Sequence, residues 1–161
     1  MPHEPNNSVS MAFVTDPIGI IGEEEAAKML EAKGFKIMEH NWHLGHMEID
    51  LIAENKKEVV LAEVKARTST FGDLRPEEYV DEAKKRRMII AGNAYVKQKR
   101  LNKALRFDII GILVDPQTQE VTYRGHWENA FNPEARTTTA GSHSGQWNWF
   151  HREKRKRNTR K

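Results

Sequence analysis

The chain reads MEIDLIA over residues 47–53 and VVLAEVKAR over residues 59–67. Apolar and acidic residues alternate in the first stretch, and in the second Glu63 and Lys65 alternate with Val64 and Ala66. A period of two residues is typical of a β-strand, and the polar residues 54–58 between the stretches suit a turn. The two stretches therefore predict a β-hairpin.

Side chains that alternate along a strand point to opposite faces of the sheet. In the first strand, one predicted face carries Glu48, Asp50 and Ile52. The opposite face carries three apolar residues: Met47, Ile49 and Leu51. In the second strand, alternation groups Leu61, Glu63 and Lys65. Each strand thus has one face on which acidic residues lie among apolar ones.

The length of the turn decides whether these acidic faces meet. An even number of connecting residues, such as 55–56 or 55–58, puts them on the same side, and four residues set Asp50 opposite Glu63. Carboxylates this close repel one another unless a cation neutralises them, and oxygen ligands favour Mg²⁺ or Mn²⁺. The simpler alternative is that Lys65 pairs with Glu48 or Glu63 on a solvated face. Apolar residues on both faces favour the metal interpretation.

The remaining pattern predicts helices packed on a sheet. Apolar spacing indicates a helix over residues 19–33, with Glu23 on its inward stripe and Gly34 following its end. A second helix, from Pro76 to about Gln98, is predicted to bury Met88, Ala91 and Tyr95. Further strands are predicted over residues 35–41, 107–114 and 120–124. The predicted fold class is therefore α/β.

Composition indicates one domain with tails. The 161 residues contain no cysteine, no secretory signal and no stretch able to span a membrane, so we expect a cytoplasmic protein. Residues 133–161 carry eight Lys or Arg and two Glu, a net charge of +6, whereas residues 1–132 carry eighteen and twenty-one, a net charge of −3. We expect a flexible extension at residues 1–17, a domain at 18–132 and a disordered basic tail at 133–161.

Several motifs resemble, in order along residues 18–131, those of the bacterial YraN family. They are Gly22-Glu23, Asn41, Glu48-Ile-Asp50-Leu-Ile-Ala, Glu63-Val-Lys65-Ala-Arg67, Phe71-Gly72, Lys84 and Arg106-Phe-Asp108. That family is assigned to the PD-(D/E)XK superfamily, near the archaeal Holliday-junction resolvases. Two positions depart from the family pattern, since Met47 stands where glycine is usual and His43 where arginine is common.

This resemblance implies an αβββαβ restriction-endonuclease-like core with a mixed central sheet flanked by helices. Asp50 and Glu63 would hold the metal, and Lys65 would orient or polarise the attacking water. Glu23 would reach the site from the first helix, where the apolar stripe had already placed it inward. Glu48 matches the family signature, as a catalytic or a supporting residue.

Basic and histidine side chains near these motifs are candidates for binding nucleic acid. Lys84 and Arg87 align with basic family positions and are predicted to contact phosphate, although a charged helix is often only a solvated face. Arg67 is a further candidate. His40, His43 and His46 invite a zinc interpretation, but we favour a loop near the site in which His43 touches phosphate.

Two other charged features have competing interpretations. Arg106 and Asp108 could be a functional pair or a buried structural ion pair, and we favour the structural interpretation. The basic run at residues 152–161 would bind any polyanion by releasing counter-ions, or it would only increase solubility.

The leading hypothesis from the sequence is a Mg²⁺-dependent (or Mn²⁺-dependent) endonuclease that hydrolyses DNA, plausibly branched DNA. The alternative is a non-catalytic nucleic-acid-binding or DNA-processing accessory protein with the same fold. The resolvase resemblance also suggests a homodimer. A small-metabolite enzyme lacks support, because the chain has no phosphate-binding glycine loop and no nucleophile elbow.

Overall fold

The computed structural model of the chain describes residues 16–69 and 80–132. These residues form two helices and five strands: α1 (Pro17–Ala32), β1 (Lys36–Leu44), β2 (Met47–Glu54), β3 (Glu58–Thr68), α2 (Glu82–Gln98), β4 (Ala104–Val114) and β5 (Val121–Phe131). The predicted α/β class and the αβββαβ order are confirmed. Three sequence predictions lie wholly or mainly outside the described residues: the N-terminal extension, the loop at Phe71-Gly72 and the basic tail. The helix predicted to start at Pro76 begins instead at Glu82, because Asp81 has an extended backbone and caps α2.

The five strands form one mixed sheet in the order β1-β2-β3-β4-β5. β3 and β4 are parallel, and every other neighbouring pair is antiparallel. Parallel neighbours need a crossover connection, and α2 lies between β3 and β4 in the chain. No helix of the described residues has the length and apolarity needed to span a membrane.

The sheet is covered by α1 on one face and α2 on the other, with a separate apolar core under each helix. Leu30 of α1 packs with buried residues that include Leu51, Val60 and Ala62. Under α2, Met88, Ala91 and Tyr95 pack with buried residues that include Ile49, Ile52 and Leu61. The predicted burial of these three α2 side chains is confirmed. β3 is buried on both faces, as expected for a strand with a parallel neighbour.

The ends of the helices follow from local hydrogen bonds. Asp16 precedes α1 and its Oδ1 accepts a hydrogen bond from the Ile18 N–H at 3.1 Å. Asp81 does the same for α2, where its Oδ1 accepts from the Lys84 N–H at 2.7 Å. Gly34 follows α1 with a φ of 87°, the left-handed conformation predicted for a glycine after a helix end.

β5 runs seven residues beyond the predicted strand end, from position 124 to Phe131. Its polar residues do not alternate regularly, so this part of the strand is defined by backbone pairing with β4 and not by a side-chain pattern.

The predicted grouping of Ile49 with Leu51 is wrong. Ile49 packs under α2 and Leu51 under α1, although the two are separated by one residue. The alternation of β2 is therefore interrupted at Asp50.

Candidate metal centre

The pairing of β2 with β3 brings two acidic positions face to face. Their register runs from Glu54 opposite Val59 to Leu51 opposite Ala62, and one further step sets Asp50 opposite Glu63. This is the register predicted for a four-residue connection. The turn is held by Asn55, whose Oδ1 accepts hydrogen bonds from the N–H groups of Lys57 and Glu58, each at 2.8 Å.

At Asp50 a side chain takes over the role of a backbone acceptor. Its Oδ2 accepts a hydrogen bond from the Val64 N–H at 2.7 Å, beyond the last regular pair of the ladder. This bond draws the carboxylate toward β3 and explains why the alternation of β2 is interrupted there. Burial, followed by the negative charge of Glu63, raises the pKa of Asp50 from 3.8 to about 7.

Glu63 is a buried acid between two lysines. Lys65 Nζ lies 3.4 Å from its Oε1, and Lys84 Nζ lies 3.0 Å from its Oε2. Lys84 also donates a hydrogen bond to the backbone oxygen of Glu48 at 3.2 Å. Glu63 Oε2 accepts no hydrogen bond from any described residue, although the Lys84 ammonium is in ion-pair contact with it. A buried oxygen without a hydrogen bond is costly, so its retention needs a reason.

The donor atoms of the Asp50/Glu63 pair fit a hard divalent cation. Both residues offer carboxylate oxygens, and the unsatisfied Oε2 of Glu63 is available as a ligand. Mg²⁺ commonly uses one or two protein carboxylates and completes its shell with water and substrate phosphate. No group of three Asp, Glu, His or Cys side chains able to hold an ion occurs within residues 16–69 and 80–132. The protein share of such a site would therefore be the pair itself.

Glu23 is oriented by β1. Its Oε2 accepts a hydrogen bond from Asn41 Nδ2 at 3.1 Å. Asn41 has a φ of 47°, and it lies between the β1–β2 pairs that set His40 opposite Leu51 and Trp42 opposite Ile49. Asn41 is therefore the cross-strand neighbour of Asp50. The structure links Glu23 to this neighbour, and Glu23 does not complete a three-member ligand group with the pair.

Gly22 explains how α1 reaches this position. A Cβ atom at Gly22 would overlap the Cβ of Ala66 and would contact Val64, both on β3. Only glycine lets the helix approach the strand that carries Glu63 and Lys65 so closely. Neither this close approach nor the left-handed Asn41 was derived from the sequence. The available signals were the Gly22-Glu23 dipeptide and an asparagine, a residue that tolerates positive φ, inside a strand.

The other predicted site residues form no ion pair or hydrogen bond with the Asp50/Glu63 pair in the described part of the chain, and they have different partners or are exposed. Glu48 lies 3.9 Å from His43 Nε2, and both side chains are substantially exposed. Arg67 is exposed and donates to the backbone oxygen of Ala66, and Arg87 is exposed near the start of α2. His40 and His43 lie within strand β1, opposite Leu51 and Glu48, so the loop predicted for them is wrong. His40, His43 and His46 form no metal-binding group within the described chain.

A second buried acid, Asp108 on β4, has a very different environment. Arg106 donates two hydrogen bonds to it, at 2.9 and 2.8 Å, and the Asn129 N–H donates a third at 2.9 Å. His126 Nε2 lies 2.7 Å from its Oδ2. These contacts support the predicted structural role of Arg106 and Asp108. The part played by His126 was missed, because nothing in the sequence relates it to a residue 18 positions earlier.

Comparison with known proteins identifies the family. A model of the uncharacterised protein family UPF0102 matches residues 22–112. A UPF0102 protein of Phocaeicola vulgatus is 42% identical over 115 residues, which cover 70% of this chain and 89% of that protein. The chain belongs to the UPF0102 family. UPF0102 is the YraN family, so the resemblance carried by the motifs is confirmed.

Other UPF0102 relatives show the same extent of similarity. A Bacteroides thetaiotaomicron member is 36% identical over 116 residues, covering 72% of this chain and 93% of the relative. A Porphyromonas gingivalis member is 38% identical over 112 residues, covering 68% and 80%. The segment that the UPF0102 model matches contains every site residue discussed above from Glu23 to Arg87.

Proposed function

We propose that this UPF0102 protein is a metal-dependent endonuclease that hydrolyses DNA phosphodiester bonds, with branched or otherwise non-standard DNA as its substrate. The observation that carries the proposal is the buried Asp50/Glu63 pair, with an unsatisfied Glu63 oxygen and two lysines beside it. Two carboxylates and two lysines are rarely buried together. Carboxylates can hold a divalent ion and lysines can stabilise a phosphate, which are the two requirements of metal-assisted phosphodiester hydrolysis.

In this proposal Asp50 and Glu63 hold Mg²⁺ or Mn²⁺. When bound, the ion supplies a water of lowered pKa and neutralises charge that develops on the phosphoryl oxygens. Glu23 and Glu48 support the site from α1 and from the rim of β2. Asp50 keeps its bond to the Val64 N–H, which fixes the direction of its carboxylate.

Charge balance supports an anionic substrate. With Asp50 and Glu63 ionised, Lys65 and Lys84 bring the net charge of the four groups to zero. A divalent ion makes the site +2, which suits a phosphodiester rather than a neutral or cationic ligand. Lys65 is close enough to Glu63 to orient the attacking water, and it can stabilise the phosphate in the transition state.

The basic residues near this centre extend the proposed contact with DNA. Lys84 lies at the centre itself, whereas Arg87, Arg67 and His43 are exposed side chains on α2, β3 and β1. Exposed cations position a nucleic acid through its phosphates and carry little sequence information. The proposed enzyme would therefore choose its substrate by DNA shape more than by base sequence.

The test is cleavage by the purified full chain. Labelled four-way junctions, flaps and plain duplexes are incubated with Mg²⁺, Mn²⁺ or EDTA, and products are separated on denaturing gels. We expect metal-dependent cleavage that is lost in Glu63→Gln and kept in Glu120→Gln, an exposed acid in the turn between β4 and β5. Failure of the wild type to cut any substrate with either metal would contradict the proposal.

A second candidate is a non-catalytic nucleic-acid-binding or DNA-processing accessory protein with the same fold. It is favoured by the presence of only two converging acids at the pair among the described residues. DNA binding that needs no metal and survives Asp50→Ala, together with no cleavage by the wild type, would select it. The homodimer stays a prediction, which sedimentation velocity of the purified chain would test.

A further inference from the structure

An open depression of about 660 Å³ lies at the end of the sheet where the β2–β3 turn closes. Three separate parts of the chain contribute lysines to it: the start of β1, the turn itself and the connection from α2 to β4. The four lysines are Lys36, Lys56, Lys57 and Lys103. Their convergence from distant parts of the sequence distinguishes this lysine depression from a simple basic run.

The lysine depression carries excess positive charge. Its one carboxylate, Glu54, pairs with Lys103 at 2.8 Å. Within residues 16–69 and 80–132, the other three lysines have no carboxylate within ion-pair distance. The depression therefore has a local charge of +3, although residues 1–132 together carry −3. A local basic surface on an otherwise acidic domain is the footprint expected of a polyanion contact.

The backbone that carries these lysines is held in place. Lys103 Nζ donates hydrogen bonds to Glu54 Oε2 and to the Asn55 backbone oxygen, both at 2.8 Å. The Ala104 N–H donates to the Lys57 backbone oxygen at 3.2 Å, which ties the turn to the start of β4. Asn55 also caps the turn through its side chain. A fixed frame lowers the entropy lost when the lysines close on a ligand.

We propose that the lysine depression binds the phosphate backbone of DNA as a second contact, separate from the Asp50/Glu63 pair. Lys57 is six residues from Glu63 along β3, which corresponds to roughly 20 Å, or about six base pairs of duplex. The inference rests on the proposed function for the identity of the polyanion as DNA. It does not depend on cleavage.

The experiment compares two triple variants of the full chain. Lys36→Ala, Lys56→Ala and Lys57→Ala remove the unpaired charges of the lysine depression. The control, Lys28→Ala, Lys33→Ala and Arg124→Ala, removes the same charge from cations paired with Glu25 or Glu128. Binding of a labelled 20-base-pair duplex is measured by fluorescence anisotropy in EDTA over a series of salt concentrations. Circular dichroism and thermal melting confirm that both variants are folded.

We expect the depression variant to bind at least ~10-fold more weakly, and its log–log salt dependence to be shallower by about 2.7, because each lost phosphate contact contributes about 0.9. The control should stay within about 2-fold of the wild type, because its three cations face two carboxylates and their local net charge is +1 rather than +3. Equal losses in the two variants, no loss in the depression variant, or a wild type that binds no DNA would each overturn the inference.

Cleavage in Mg²⁺ or Mn²⁺ separates this inference from the proposed function. If the wild type cuts DNA and the depression variant binds as tightly as the wild type, the inference fails and the endonuclease proposal stands. If the wild type binds DNA through the lysine depression but cuts nothing, the endonuclease proposal fails and the inference stands.

Discussion

Two centres in this protein bury carboxylates, and they differ in how far their neighbours compensate the cost of burying a charge. Asp108 is completely buried and receives hydrogen bonds from the Arg106 guanidinium and the Asn129 N–H, with His126 also in contact. The Asp50/Glu63 pair has one backbone donor, two lysines and an oxygen that accepts no hydrogen bond from the described residues. The first centre satisfies its carboxylate with hydrogen bonds, and the second leaves one carboxylate oxygen without any from the described residues.

Burial acts on both carboxylates, but their pKa values shift in opposite directions because their partners differ. Burial alone would raise the pKa of Asp108, but His126, Arg106 and the Asn129 N–H outweigh burial and lower it. At Asp50 burial and the charge of Glu63 together outweigh the Val64 N–H and Lys84, so the pKa rises to about 7. Buried acids whose partners satisfy them hold the fold together, whereas an unsatisfied pair stores free energy that a ligand can release.

The largest expected effect is on stability at Asp108. Asp108→Asn should lower the free energy of unfolding by about 3–5 kcal/mol, because it removes the fully buried carboxylate that faces both Arg106 and His126 and leaves Arg106 paired with the half-buried Glu58. Urea unfolding at pH 7 measures this, with Glu120→Gln as the exposed control. A loss below about 1 kcal/mol would mean that the Asp108 centre is not the structural one.

The next effect is on catalysis at the pair. If the proposed function holds, Lys65→Ala should reduce single-turnover cleavage by about 10²-fold and leave metal affinity nearly unchanged, because its ammonium acts on the water or the phosphate. Glu63→Ala should abolish metal binding as well. Mn²⁺ affinity measured by calorimetry, together with the single-turnover cleavage rate, distinguishes the role of Lys65 from that of Glu63. Equal losses of metal affinity in both variants would contradict the role assigned to Lys65.

A smaller effect is the pH dependence of the metal-free protein. The pKa of Asp50 is about 7 when folded and near 3.8 when unfolded. Between these two pH values Asp50 is protonated in the folded chain and ionised in the unfolded chain. The free energy of unfolding therefore falls as the pH rises from about 4 to about 7, and it levels off above that. Asp50→Asn keeps an acceptor for Val64 without the charge. Its stability relative to wild type should therefore rise from pH 5 to pH 8, by on the order of 1–3 kcal/mol.

Urea unfolding in EDTA at pH 5, 6.5 and 8 measures this difference. Comparing the variant with the wild type cancels the contribution of other titrating groups. Parallel stability profiles for the two proteins would show that Asp50 is not destabilised by its surroundings. Adding Mg²⁺ should stabilise the wild type at pH 8 more than it stabilises Asp50→Asn.

Periodicity made much of the fold predictable. The side chains of β3 alternate between the two faces of the sheet, and both faces are covered. Val60 and Leu61 are neighbours in sequence and therefore lie in opposite cores, as the alternation predicts. The helical spacing of Met88, Ala91 and Tyr95 likewise identified the buried face of α2. Loop length limited the hairpin register to a two-residue or a four-residue connection, and only the four-residue one sets Asp50 opposite Glu63. The sequence did not choose between them, and the observed pairing did.

The features that escaped prediction depend on contacts distant in sequence. The break in β2 at Asp50 comes from a side chain bonded to the Val64 N–H, and alternation contains no signal for it. His126 contacts Asp108 only because β5 pairs with β4. The lysine depression combines three chain segments, so no local sequence pattern predicts it.

The smallest expected effect tests whether Glu23 belongs to the metal centre. Asn41 neighbours Asp50 across the β1–β2 ladder and donates a hydrogen bond to Glu23, with its backbone at a φ of 47°. Asn41→Ala should destabilise the protein by about 1 kcal/mol, because alanine is strained in the left-handed region. Asn41→Gly removes the same amide without that strain, so it isolates the contact with Glu23. If Glu23 assists the pair, Asn41→Gly and Glu23→Gln should each weaken Mn²⁺ binding, and the double variant should lose less than the sum of the two. Unchanged Mn²⁺ affinity in all three, measured by calorimetry, would confine Glu23 and Asn41 to joining α1 to β1.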